Sequence, residues 1–106
     1  MTQKLSGHYL KLKERHGELM DAVEILGKAA RTSGPLEEKI GHLIQLGAAA
    51  AIRSEGSVHS HATRALASGA TPAEIRHAVT ILTSTIGFPT VAAALSWVDD
   101  VIEKLA

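Results

Sequence analysis

His61-Ala62-Thr63-Arg64-Ala65-Leu66-Ala67-Ser68-Gly69-Ala70-Thr71-Pro72-Ala73-Glu74-Ile75 reads as the end of one helix, a tight turn and the start of the next. Gly69 stops the first helix, because glycine is the usual residue just past a helix end. Thr71 can cap the second. Pro72 suits its first position, where a missing N–H costs nothing, and Glu74 completes a capping box.

The same rhythm continues on both sides. Downstream, Ile75, Val79, Leu82 and Ile86 form one stripe of a fifth helix that stops at Gly87-Phe88-Pro89. A sixth runs from about Thr90 to Leu105 on Val91, Leu95, Val98 and Ile102. Upstream, the helix ending at Ser68 begins near Ser54, with Val58, Ala62, Ala65 and Leu66 on its apolar side. A third helix starts near Leu36, where Glu37 and Glu38 suit the positive end of the macrodipole, and ends near Arg53. Its stripe is Ile40, Leu43, Ile44, Gly47, Ala48 and Ala51, while Leu46, Ala49 and Ala50 fill other faces. A helix apolar nearly all round lies inside a core or a subunit interface. Leu19, Val23, Leu26 and Ala30 predict a second helix buried along one stripe and closed by Ser33-Gly34-Pro35. Leu5, Tyr9 and Leu12 predict a short first helix before His16-Gly17. The expectation is an all-α, single-domain chain of about six helices.

Composition narrows the function. The chain has 106 residues, one domain's worth, with eleven Lys+Arg against eleven Asp+Glu. That balance offers no electrostatic footprint for nucleic acid or an anionic membrane. Hydrophobic residues make up 45%, yet only Tyr9, Phe88 and Trp97 are aromatic, so the core is built from small and aliphatic side chains. The longest apolar run, Leu46 to Ile52, has seven residues, far below the ~18 that span a bilayer. Met1 to Ser6 has no hydrophobic centre of a signal peptide, which makes the cytoplasm the expected compartment. There is no cysteine. Disulfides, thiolate metal sites and thiol redox cycling within this chain are excluded.

The densest chemistry is Ser54-Glu55-Gly56-Ser57-Val58-His59-Ser60-His61, with His42 one helix earlier and His77 one helix later. On a helix, residues two apart point to nearly opposite sides, so His59 and His61 do not chelate one ion together. Ser54, Ser57 and His61 share one face, and Glu55 and His59 another. The first group places an imidazole beside hydroxyls and free N–H groups at a helix start, suited to an anion or to acid–base work. A buried, structurally hydrogen-bonded His61 is the plainer alternative. A Ser57–His61 nucleophilic dyad lacks a strained elbow and an orienting carboxylate. The second group is a solvated ion pair or, with a third ligand from elsewhere, half of a metal site. His8 and His16 read as solvated, and His77 as a surface or interface residue.

From Pro35 to about Leu105 the chain resembles the carboxymuconolactone decarboxylase family, which includes the alkylhydroperoxidase D proteins. The resemblance is carried by Leu36-Glu37-Glu38-Lys39 with Leu43-Ile44, by the quoted stretch from His61 to Ile75, and by Gly87-Phe88-Pro89 before an Ala-rich helix. It implies a family core over residues 35–106 with residues 1–34 as a helical extension. It also implies a homo-oligomer, trimeric or hexameric, assembled through apolar helix faces with sites near subunit contacts. The family's redox branch has Cys-x-x-Cys-x-x-x-His with a Glu on the preceding helix. Here those positions hold Ser54, Ser57, His61 and His42. A hydroxyl does not cycle through a sulfenic acid or a disulfide, so peroxidase activity is not expected.

The decarboxylase branch works without the cysteines. The resemblance to it implies His61 as proton donor to a small carboxylated substrate, with His42 as second acid/base or carboxylate binder. Ser57 joins them as a catalytic candidate, and Ser54, Arg53 and Arg64 as substrate-binding candidates. Two other classes stand beside this one. A divalent metal, which the sequence does not require, would draw on His42, His61, His59 and Glu55. A non-catalytic oligomeric module would use the same pocket for a small-molecule ligand.

Overall fold

The computed structural model describes residues 7–105; Leu5 and the Met1–Ser6 start lie outside them. Among the described residues every regular element is a helix, without strands: α1 Gly7–Arg15, α2 Gly17–Arg31, α3 Glu38–Ala51, α4 Glu55–Ala67, α5 Pro72–Thr80, the four-residue α6 Thr83–Ile86, and α7 Phe88–Leu105. No helix among the described residues is long and apolar enough to cross a membrane.

The turn between α4 and α5 forms as its chemistry dictates. The Thr71 hydroxyl accepts from the Glu74 N–H at 3.1 Å, and the Glu74 carboxylate accepts from the Thr71 N–H at 2.9 Å. Gly69, at φ 98°, ends α4 in the left-handed region. There the N–H of Ala70 reaches the Ala65 carbonyl and that of Gly69 the Leu66 carbonyl, at 2.9 and 3.1 Å. α3 ends in the same paired-bond motif, with Arg53 (φ 56°) as the left-handed residue. The Ser54 and Arg53 N–H groups donate to Ala49 and Ala50 at 3.0 and 3.1 Å. This motif turns the chain so that α4 returns along α3, the most extensive helix contact in the molecule.

The core lies among α3, α4, α5 and α7. Its fully buried members include Leu46, Ala50, Val58, Ala62, Ala65, Ile75, Val79, Ala94 and Val98. Alanines at the contact let α3 and α4 approach closely. Between Thr80 and Thr83 the expected single fifth helix breaks into α5 and α6. The Leu82 N–H bonds three residues back to Val79 at 3.1 Å, and the Thr83 hydroxyl donates to the Thr80 carbonyl at 2.7 Å. Hydroxyls that bond nearby carbonyls, on crowded β-branched residues, compete with a regular helix at this point.

Two expected stripes face elsewhere. α3 buries His42, Leu46, Ala49 and Ala50, whereas Ile44 on the expected stripe is 55% exposed. Where a helix is apolar nearly all round, periodicity does not choose a face; here the alanines that fit against α4 do. α2 has no buried residue, and Leu19 and Leu26 are 61% and 69% exposed. Among the described residues its stripe rests against α1 only in part, and Leu19, Val23 and Leu26 stay exposed.

Candidate functional site

His42 and His61 meet across the α3–α4 contact. Their ring centroids are 5.8 Å apart, with the planes tilted by 38°. His42 is 2% exposed, and the Nδ1 atoms of both rings are buried without a hydrogen-bond partner. Glu38, one turn before His42, brings a carboxylate oxygen to 3.7 Å from its Nε2.

Two guanidinium groups influence the pair. Arg64 stands three residues after His61 on α4, donates from Nε to the Ser60 hydroxyl at 3.0 Å, and lies over the Tyr9 ring at 5.8 Å. The Tyr9 hydroxyl donates to Glu24, which also accepts from Lys13 at 3.1 Å, so α1, α2 and α4 are tied together around Arg64. Burial, followed by the hydrogen bond to Glu24, raises the Tyr9 pKa. The second guanidinium, Arg31, comes from the last residue of α2. Its aliphatic stem passes over Gly41, just before His42, 3.6 Å from where a Cβ there would stand, an ordinary contact distance. Among the described residues Arg31 makes no ion pair with a carboxylate.

These surroundings set the protonation state. Burial, then the charges of His42, Arg64 and Arg31, hold the His61 pKa down to about 4. His42 is lowered chiefly by burial and then by Arg31, with Glu38 opposing. Both rings are neutral at pH 7, each with one N–H and one lone pair. The positive potential that disfavours a second proton is the same potential that attracts an anion.

The other expected site residues divide clearly. The Ser54 hydroxyl donates to that of Ser57 at 2.9 Å at the start of α4, and no hydrogen bond links Ser57 to His61. Arg53 is exposed, and its part in the fold is the left-handed turn. His59 points away from the His42–His61 pair, with Nε2 3.3 Å from Asp100 on α7 and 3.9 Å from Glu55. The fourfold set of His42, His61, His59 and Glu55 is therefore not assembled at one place. Among the described residues the group that could hold a metal is Glu55, His59 and Asp100. His8, His16 and His77 are exposed.

Sequence reasoning missed Arg31, Tyr9, Glu38 and Asp100. Of these only Glu38 carried a local signal, its spacing of four residues from His42. No curated protein and no solved structure matches the chain. Its match to a known family runs over residues 17–100, from the first residue of α2 almost to the end of α7, and so includes Arg31 as well as both histidines. On that match the chain belongs to the carboxymuconolactone decarboxylase family.

Proposed function

We propose that the His42–His61 pocket binds a small carboxylated substrate and moves a proton to or from it without any thiol. The observation that carries this reading is the convergence of the buried His42 with the half-buried His61, ring centroids 5.8 Å apart and both Nδ1 atoms buried and unpartnered, in the positive field of Arg31 and Arg64. A substrate carboxylate drawn there by the guanidiniums favours the charged form of the imidazoles and raises their pKa. Binding thus loads the proton that the free pocket rejects. In a decarboxylation the carbon–carboxylate bond breaks, carbon dioxide leaves, and the electron pair stays on carbon as an enolate. The protonated His61 then delivers its proton to that carbon and returns to the neutral state.

The test is turnover of a carboxylated lactone. His61→Ala should lower kcat by about 100-fold or more, the usual worth of a positioned acid or base, while Arg31→Met should chiefly raise KM. Unchanged kcat in His61→Ala removes the residue from the reaction. Binding of the carboxylate without turnover by the unaltered protein would favour the ligand-binding reading instead.

We also propose that the chain assembles as a homo-oligomer through its uncovered apolar faces. A groove of about 440 Å³ between α3 and the α5–α6 segment is lined by Ile40, Ile44, Ala48, Ile81, Leu82 and Ile86. Ile44 and Ile81, at 55% and 61% exposure, lie in it. Such a face is suited to burial against a second copy. Light scattering on Ile44→Glu should report a smaller species than the parent; an unchanged mass would rule out this face.

A further inference from the structure

We propose that Glu55, His59 and Asp100 form a binding site for a borderline divalent cation such as Zn²⁺ or Co²⁺, separate from the His42–His61 pocket. One ligand atom from each of the three lies within 4.8 Å of the others. The His59 Nε2 is 3.3 Å from an Asp100 oxygen and 3.9 Å from a Glu55 oxygen. Donors on a tetrahedral zinc stand roughly 3.3–3.5 Å apart, given bonds of about 2.0–2.1 Å. The first separation already fits. The second closes by a few tenths of an ångström, a small rotation for the exposed Glu55 side chain.

Three features mark this group as more than neighbouring charges. The two carboxylates come from different helices, α4 and α7, yet converge on the same ring nitrogen. Two negative groups are held together there with no Lys or Arg in ion-pair range of either among the described residues. Arg76 engages the neighbouring Asp99 at 3.0 Å, while Asp100 stands against His59. The third feature is the donor set, one imidazole with two carboxylates, which suits zinc or cobalt better than the all-oxygen preference of calcium or magnesium. Three protein ligands leave one position open for water. A bound ion would brace the first half of α4 against α7 on the side of α4 away from His61.

The untagged chain is titrated with Co²⁺, read by its visible ligand-field absorption, and with Zn²⁺, read by thermal unfolding. One Co²⁺ per chain should bind, Zn²⁺ should raise Tm, and His59→Ala and Asp100→Asn should each weaken binding at least tenfold. Asp100→Asn keeps shape at an exposed position, so circular dichroism unchanged from the parent separates lost binding from lost fold. His77→Ala, which alters an exposed histidine elsewhere, should bind as the parent does. Equal binding by His59→Ala and the parent, or no Co²⁺ uptake by the parent, would overturn the site.

Discussion

Arg53 does at the end of α3 what Gly69 does at the end of α4. Both sit in the left-handed region, at φ 56° and 98°, and both are followed by a residue whose N–H reaches back five positions to close the helix. Glycine takes that conformation freely, whereas a residue with a Cβ is disfavoured there by ~1–2 kcal/mol.

Arg53→Gly should therefore stabilise the protein by about 0.5–1 kcal/mol, the relief of strain being offset in part by the greater freedom of glycine in the unfolded chain. Gly69→Ala should cost about 1 kcal/mol for the converse reason. Urea denaturation of both variants checks the pair. A loss of stability in Arg53→Gly would mean that the arginine side chain contributes more than its backbone costs.

The capping box supplies a second prediction. Thr71→Ala removes the acceptor of the Glu74 N–H bond and should cost about 1 kcal/mol, within the range for such caps. A change below a few tenths in urea unfolding would show that α5 is held by its core residues alone.

Stability should fall with acid in a window set by the His42 and His61 imidazoles. The His61 pKa is held at about 4 in the folded chain and His42 is also lowered, whereas histidine ordinarily titrates near 6.5. As pH drops below about 6.5 the unfolded chain takes up protons that the folded one refuses, and stability is lost down to the folded pKa. Above that window the contribution is fully present. Urea midpoints at pH 7 and pH 5 measure it, and His61→Gln, which cannot titrate, should show a smaller drop than the parent. Equal drops would place the acid sensitivity elsewhere.

Removing a nearby cation should act on the same titration. Arg31→Met keeps the stem that crosses Gly41 but deletes the charge, so the pKa of both histidines should rise. Histidine NMR shifts followed with pH read this directly. No movement of either ring would show that Arg31 does not set the potential of the pocket.

Much of this architecture was legible in the residues. Gly69, Thr71, Pro72 and Glu74 encode their turn locally, and each forms it with the bonds expected. The separation of His59 from His61 followed from helical geometry alone. The burial of α3 was not legible, because Ile40 and Ile44 compete with Leu46 and Ala49 for the core and only the partner helix decides. The break at Ile81 leaves no mark on the periodicity, because Leu82 and Ile86 preserve the helical period across it. In the site, Arg31 acts on the histidines from the end of α2, where its stem passes over Gly41, and Asp100 meets His59 across 41 residues of sequence. Contacts of that kind arise from packing, and spacing along the chain does not reveal them.

The central claim is that a neutral imidazole pair takes up a proton when a carboxylate enters. The most direct test is an NMR pH titration of His61 with and without a saturating small carboxylated lactone or its unreactive analogue. The account predicts a pKa of about 4 in the free protein and a clear upward shift with the ligand bound. An ordinary histidine titration near 6.5 in the free protein, unmoved by the carboxylate, would contradict it.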